Sequence, residues 1–193
     1  MMLTAGTGLG IEVDGRLVAS ALMLPYGVKF GWISMVLVAA DWQKKGLATR
    51  LLNTCIEKLE SMGLTPVLDA TPAGENVYRP LGFRPHFGFQ RWEHESAEEI
   101  QVGSSAVESV TLEDVIRIDA DVFGGARRPI IESLVERSRT FSCEDKNYNG
   151  YLLGRDGRNA SQIGPIFTAN PTSAIEMLNH ALSHLKGRVF IDA

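Results

Sequence analysis

A glycine-containing segment that leads into an amphipathic helix is the part of the chain best suited to bind an anion. It reads Gln-Lys-Lys-Gly-Leu-Ala-Thr over residues 43–49, and apolar residues recur at helical spacing over residues 45–59. The first N–H groups of a helix have no intrahelical partner and lie at the positive end of its dipole. Small residues at Gly46 and Ala48 let a phosphate approach this backbone. We therefore predict a site for a diphosphate-bearing ligand, although a loop glycine before an ordinary surface helix is the simpler alternative.

A second segment, further along the chain, contains a tyrosine that could donate a proton. Residues 76–83 read Asn-Val-Tyr-Arg-Pro-Leu-Gly-Phe, which places Tyr78 four residues before Gly82. Together, the two segments resemble the acyl-CoA-binding and tyrosine-bearing motifs of the GNAT superfamily of N-acetyltransferases. The family's loop reads Gln/Arg-x-x-Gly-x-Gly/Ala and its later signature reads Tyr-x-x-x-Gly-Phe, and both are present here in that order.

The resemblance implies an acyl-CoA-dependent N-acyltransferase that uses acetyl-CoA as its cosubstrate. In this family an amine attacks the thioester directly in a ternary complex, without a covalent enzyme intermediate. Neither motif contains a cysteine, which agrees with direct transfer. A non-catalytic CoA-binding or regulatory module is the alternative. The acceptor is expected to be an amine, on a small molecule or on a protein, and the sequence favours neither.

The resemblance also assigns roles to individual residues. Backbone groups of Leu37 and Val38 would contact the pantetheine arm and the thioester carbonyl, and an N–H there could stabilise the oxyanion. Asn76 would contact the pantetheine or the adenosine, and Tyr78 would protonate the departing thiolate. A core tyrosine whose hydroxyl reaches water is the alternative for Tyr78. The pyrophosphate would be held by the loop residues Gln43, Lys44, Lys45, Gly46, Leu47, Ala48 and Thr49.

The general base that accepts the amine proton is left open by the sequence. Asp69 is the nearest candidate, although the sequence favours a cap or turn carboxylate before Thr71 and Pro72 over this role. Glu75 and His86 are weaker candidates, and an ordered water would serve as well.

Composition excludes several other classes of protein. The chain has 193 residues, 45% of them hydrophobic, and a net charge of −4, so no basic surface for nucleic acid is expected. It has no apolar run long enough to cross a membrane and no signal-peptide pattern at its start. The two cysteines are expected to be reduced, which suits a cytoplasmic protein. His180 and His184 could bind a metal, but no acidic or cysteine cluster supports them, and we predict no metal site.

The pattern of elements predicts an α/β (α+β) fold with two GNAT-like halves. Each half is expected to hold a mixed, mostly antiparallel sheet flanked by helices, and both are expected to be incomplete, the first lacking the family's usual first strand and helices. We predict a first domain at residues 1–95, a linker at 96–105 and a second domain at 106–193. Strands of the first domain are predicted at residues 10–13, 17–24, 30–38, 66–70 and 83–93, with a hairpin turn at Asp14-Gly15.

The second half resembles a GNAT-like C-terminal domain, on the residues at 119–124, 127–128, 150–155 and 163–166. Where the phosphate loop would stand, it lacks the motif, and Pro171 removes a backbone donor, so we predict that this half does not bind CoA. Strands are predicted at residues 107–110, 140–143, 148–153, 162–168 and 188–192, with helices from 111 through 139 and from 171 to 185. Arg127 and Arg128 would either meet an acidic substrate group or neutralise Asp119 and Asp121. A homodimer is possible, because GNAT sheets often pair across an edge.

Overall fold

The computed structural model describes residues 5–96, 111–141, 144–145 and 148–193. These residues form two compact units that divide between His86 and Phe87. The predicted strand at residues 107–110 and the predicted linker, apart from Ser96, lie outside the described residues.

The first unit contains a four-stranded sheet in the order β1-β2-β3-β4. Neighbouring strands are antiparallel except for β3 and β4, which are parallel. Asp14 and Gly15, between the first two strands, both have positive φ, which the predicted hairpin turn requires. The strands are β1 (Thr7–Val13), β2 (Arg16–Tyr26), β3 (Phe30–Val38) and β4 (Thr65–Val67).

Helix α1 (Leu47–Ser61) makes the crossover between the two parallel strands. Its apolar face packs into one core with the sheet. Gly31 of β3 allows this close approach, because a Cβ there would lie 2.3 Å from a methyl carbon of Leu59. The chain then forms the short helix α2 (Pro72–Tyr78) and a 3-10 turn, Arg79–Leu81. The buried residues of α1 are Leu51, Leu52, Cys55 and Leu59.

A β-bulge interrupts the pairing of β2 with β3. Ser20 pairs with Leu37 and Leu22 pairs with Ser34, so β3 has two residues where β2 has one. Met35, in the bulge, has a φ of 52°. The hydroxyl of Ser20 donates to the carbonyl of Met35 at 3.2 Å, which ties the bulge to the neighbouring strand.

The second unit contains a five-stranded sheet and three helices. The sheet has the order β5-β11-β10-β9-β6, and β7 and β8 form a separate hairpin. In chain order the elements are β5 (Arg91–Ser96), α3 (Leu112–Phe123), α4 (Arg128–Arg137), β6 (Ser138–Phe141), β7 (Glu144–Asp145), β8 (Tyr148–Asn149), β9 (Tyr151–Arg155), β10 (Ser161–Phe167), α5 (Pro171–Ser183) and β11 (Gly187–Asp192).

The two faces of strand β9 contact different helices. Leu152 belongs to a core that includes Met177 and Ala181 of α5. The next residue back, Tyr151, donates its hydroxyl to Asp119 of α3 at 2.5 Å. Helices therefore cover both faces of this sheet, as predicted for the fold class.

The predicted strand at residues 83–93 is wrong in its start and in its sheet. The strand begins at Arg91 and pairs antiparallel with β11, so it belongs to the second unit. Its aromatic residues favoured an earlier start, but Pro85 lacks an N–H and Gly88 lacks a side chain to pack. The first unit therefore ends at residue 86 in the structure, whereas the predicted limit is residue 95.

Candidate functional site

The loop between β3 and α1 turns through two residues with left-handed backbone. Lys44 has a φ of 59°, which is uncommon for a residue with a side chain, and Gly46 has a φ of 76°. A Cβ on Gly46 would have no described atom within 4 Å. The glycine is therefore required by the backbone turn, and the space around it is open.

The N-terminus of α1 is not capped by any side chain of the described residues. Intrahelical bonding begins with the N–H of Arg50, which donates to the carbonyl of Gly46 at 3.0 Å. The N–H groups at Leu47, Ala48 and Thr49 precede this bond and are the donors that a helix leaves without intrahelical partners. An anion placed there would accept these N–H groups and interact favourably with the helix dipole.

Two side chains of the loop have fixed positions. The amide of Gln43 donates to the carbonyl of Val38 at 3.4 Å, which connects the loop to the end of β3. The ammonium group of Lys45 lies 4.4 Å from the centre of the Trp42 ring, a cation–π contact. Lys45 thus holds a positive charge beside the open helix start.

The end of β3 has an open edge. Strand β4 pairs with β3 over three residues, Phe30–Trp32. Beyond Trp32, no strand among the described residues pairs with β3 on this side. This edge of β3, where Leu37 and Val38 lie, is therefore open to a ligand that extends along the strand, apart from the Val38 carbonyl, which accepts from Gln43. Leu37 is 55% exposed, whereas Val38 packs against the core.

Tyr78 ends helix α2 and is half-buried. Its ring lies edge-on to that of Phe83, with 6.2 Å between the centres. A Cβ on Gly74 would lie 2.8 Å from the Tyr78 ring, so only glycine at that position allows this ring position. Burial raises the pKa of the Tyr78 phenol above its ordinary value. The phenol is therefore protonated at neutral pH, as a proton donor must be.

One core connects these parts of the site. Val38, Leu47 and Tyr78 all pack against the same cluster of buried residues between α1 and the sheet. Asn76 is exposed on α2, two residues before Tyr78. Of the candidate bases, Asp69 is exposed, and Glu75 forms an ion pair with Arg79. The carboxylate of Glu75 therefore already has a cationic partner.

Cys55 is not suited to act as a nucleophile. The thiol lies in the core of the first unit, fully buried. Burial raises its pKa to about 11, so the reactive thiolate is scarce at neutral pH.

Family comparisons match both units of the chain. The model described as Acetyltransferase (GNAT) family matches residues 2–83, and the model described as Acetyltransferase (GNAT) domain matches residues 115–193. The chain belongs to the GNAT superfamily. The predicted resemblance of both halves is thereby confirmed.

Relatives of the GNAT chain are distant in sequence. An uncharacterized N-acetyltransferase of Bacillus subtilis (strain 168), YitH, is 22% identical over 193 residues, which cover 94% of this chain and 66% of that protein. A provisionally assigned acetyltransferase of Pyrococcus horikoshii has a crystal structure with a TM-score of 0.80 and 21% identity, covering 98% of this chain and 65% of the other. A GCN5-related N-acetyltransferase of Kribbella flavida gives a TM-score of 0.59 at 17% identity, over 96% of this chain and 52% of the other. The chain therefore spans about two thirds or less of the length of these proteins.

The second GNAT unit starts its crossover helix differently. The side-chain oxygen of Asn170 accepts from the N–H of Thr172 at 2.8 Å, and Pro171 occupies the first turn of α5. The helix start is thus capped by the chain itself, which leaves fewer donors for a ligand.

Sequence reasoning missed two features of the candidate site in the first unit. The Ser20 hydroxyl, which holds the bulge, gives no signal without the pairing register of β2 and β3. The contact of Lys45 with Trp42 could have been anticipated, because the two residues are three positions apart and aromatic rings attract cations.

Two other classes of feature are absent from the described residues. No helix among them is both long and apolar enough to cross a bilayer. Nor do they contain a group of three or more histidine, cysteine or acidic side chains that could hold a metal ion.

Proposed function

We propose that the first unit binds acetyl-CoA and transfers its acetyl group to the nitrogen of an amine. The observation that carries the proposal is the start of α1, where left-handed Gly46 precedes N–H groups that no described side chain caps. The diphosphate of coenzyme A is the anion that the family membership suggests for this position. Gln43, Lys44 and Lys45 add donors and positive charge on the same loop.

The open edge of β3 would receive the rest of the cosubstrate. The pantetheine arm would extend along the strand end at Leu37 and Val38, where β4 no longer pairs with β3. A backbone N–H there would stabilise the oxyanion of the tetrahedral intermediate, and such a donor is typically worth about 3 kcal/mol. Asn76 on α2 would contact the pantetheine or the adenosine.

The transfer step needs two proton movements. The amine nitrogen forms a bond to the thioester carbonyl carbon, and the bond from that carbon to sulfur then breaks. Tyr78 gives its phenolic proton to the departing thiolate and regains a proton from solvent. The nitrogen loses a proton to a base, for which an ordered water, Asp69 and His86 remain the candidates.

The acceptor is an amine on a small molecule or on a protein, and neither nucleic acid nor a membrane is proposed as a partner. A cytoplasmic location and a homodimer stay predictions.

Removing the Tyr78 hydroxyl tests the proposal. Release of free CoA thiol from acetyl-CoA is measured with a panel of primary amines, for the unaltered chain and for Tyr78→Phe. We expect kcat to fall by about a hundredfold or more, because general acids contribute on that scale, while acetyl-CoA binding is unchanged. Tyr26→Phe, which removes a hydroxyl elsewhere in the first unit, is the matched control and should retain full turnover.

Two results would count against the proposal. Equal turnover in Tyr78→Phe would exclude the phenol as the acid. Acetyl-CoA binding without turnover of any amine in the unaltered chain would favour the alternative, a non-catalytic CoA-binding or regulatory module.

A further inference from the structure

A cavity of about 490 Å³ lies in the second unit, at the start of strand β10. Its lining residues include two arginines, Arg137 and Arg155, together with Gln162 and Phe190. Asp156, on the turn between β9 and β10, also contributes to the wall. A volume of this size is within the range of small-molecule sites.

Three of these residues form one row across the sheet. Arg155 of β9 is paired with Gln162 of β10, and Gln162 is paired with Phe190 of β11. Paired residues in adjacent strands point to the same face of a sheet. Their neighbours Ile163 and Val189 belong to the core beneath α5, so the row lies on the opposite face. The register of the sheet thus builds this wall of the cavity.

A chain of hydrogen bonds fixes the guanidinium of Arg155. Arg91 donates twice to the carboxylate of Asp192, at 2.7 Å each. The amide nitrogen of Gln162 donates to the same carboxylate at 3.4 Å, which turns the amide oxygen toward Arg155. Arg155 donates to that oxygen. Hydrogen bonding from Arg91 lowers the pKa of Asp192, so this carboxylate remains an acceptor and the amide keeps its orientation.

The partner of Arg155 carries no charge. Within the described part of the chain, its hydrogen bond goes to the neutral amide of Gln162, and it forms no ion pair. The carboxylate of Asp192, two steps along the chain of bonds, is already paired with Arg91. Arg155 thus presents a guanidinium that is hydrogen-bonded to a neutral amide and feels the charge of Asp192 only at longer range, at the wall of a cavity that Phe190 also lines.

We propose that this cavity binds a small organic carboxylate, with the carboxylate group on Arg155 and an apolar body against Phe190. The planar fork of a guanidinium matches the two oxygens of a carboxylate, and Arg137 adds positive charge to the same cavity. The aromatic ring supplies contact area for the remainder of the ligand.

The cavity is distinct from the part of the fold that would hold acetyl-CoA. The start of β10 pairs in parallel with β11, as the start of β3 pairs with β4. In the first unit the site is proposed at the other end of the equivalent strand, at Leu37 and Val38. The carboxylate site therefore lies at the opposite end of β10 from the position that corresponds to Leu37 and Val38 in the first unit. The two proposals are independent.

Calorimetric titration of the full chain with benzoate, at low ionic strength, tests the carboxylate site. Benzamide has the same shape without the charge and is the control ligand. We expect saturable binding of benzoate and none of benzamide. In Arg155→Gln the affinity for benzoate should fall by about tenfold or more, since a hydrogen-bonded charge pair is lost. Arg158→Gln, an exposed arginine on the same turn outside the cavity, should bind as the unaltered chain does.

A second variant keeps the test independent of any folding defect. Gln162→Glu preserves the shape of the wall but places a carboxylate against Arg155, so benzoate should again bind about tenfold more weakly or not at all. Thermal melting of each variant checks that it is folded. No saturable benzoate binding by the unaltered chain, equal binding of benzamide, or full binding by folded Arg155→Gln would overturn the proposal.

Discussion

The two units of the chain share one run of elements, and within that run they differ at the start of one helix. In the first, an antiparallel pair (β2 and β3) is followed by helix α1 and the parallel strand β4. In the second, β9 and β10 are followed by α5 and β11 in the same arrangement. Both units also carry a bulge in the middle strand, at Met35 in one and between Ile163 and Ile166 in the other.

The difference lies where each crossover helix begins. At α1 a left-handed Gly46 leaves the N–H groups uncapped by described side chains, whereas at α5 the side chain of Asn170 and the ring of Pro171 occupy the equivalent position. A shared topology therefore does not imply shared chemistry, because an anion site depends on a few residues at one turn. The second unit contains instead an ion pair between the buried Asp119 and the partly buried Arg127.

The largest effect on stability is expected when that ion pair is removed. Arg127 donates twice to Asp119, at 2.7 and 2.8 Å, as the neutralisation alternative predicted, whereas Arg128 pairs with Glu113 and Glu132. In Asp119→Ala the free energy of unfolding should fall by about 3–5 kcal/mol, because the partly buried Arg127 and the buried hydroxyl of Tyr151 both lose the carboxylate that they bind.

Denaturant unfolding of Asp119→Ala beside Asp121→Ala measures this effect. Asp121 is exposed on the same helix, and its loss should change stability by less than about 0.5 kcal/mol. A similar small loss in both variants would mean that the buried pair does not stabilise the second unit.

A smaller effect is expected at the capped helix start. Asn170→Ala removes the acceptor for the Thr172 N–H and should cost about 1 kcal/mol of stability. Binding of acetyl-CoA should be unchanged, because the proposed site lies in the other unit. Thermal melting and calorimetry of the same sample measure both, and a change in acetyl-CoA affinity would break the distinction between the units.

Loss of the contact between Trp42 and Lys45 is expected to have a small effect on the binding of acetyl-CoA. In Trp42→Leu the lysine loses its cation–π partner, which is worth about 0.5–1 kcal/mol at an exposed site. The dissociation constant of acetyl-CoA should rise about two- to fivefold. Trp92→Leu, at a 60% exposed position in the second unit, is the control. Equal affinity in both variants would show that the contact does not position Lys45.

Deprotonation of Tyr78 is not expected to lower kcat near neutral pH. It should lower kcat only in alkaline solution. Burial raises the pKa of its phenol, so the proton-donating form persists above the ordinary pKa of tyrosine, about 10. A pH profile of kcat should therefore show no fall due to Tyr78 until the pH exceeds this value. A fall near pH 8 that disappears in Tyr78→Phe would contradict a raised pKa.

Local patterns allowed much of this fold to be predicted. The Asp14-Gly15 turn and the helix at residues 45–59, observed as Leu47–Ser61, depend on neighbouring residues alone. The strand at residues 83–93 was wrong because its partner is far away in sequence: Arg91 pairs with Asp192, 101 residues further on. Pairing over such a distance leaves no trace in the local pattern.

The candidate site, like the fold, has parts that depend on local sequence and parts that depend on pairing between distant residues. The loop at Gly46 and the tyrosine at position 78 were visible as motifs, because each function depends on a short stretch of backbone. The bulge at Met35 and the row from Arg155 to Phe190 depend on which residues face each other across strands. That register becomes known only in the folded sheet.

Calorimetric titration of acetyl-CoA into the full chain tests the central claim, that the first unit alone holds an acyl-CoA site. Gly46→Asp places a carboxylate at the proposed diphosphate position, and Gly63→Asp places one at the other end of the same helix, at a glycine with a similar φ of 73°. We predict one site per chain, lost in Gly46→Asp and retained in Gly63→Asp. Two sites per chain, or unchanged binding in Gly46→Asp, would contradict the account.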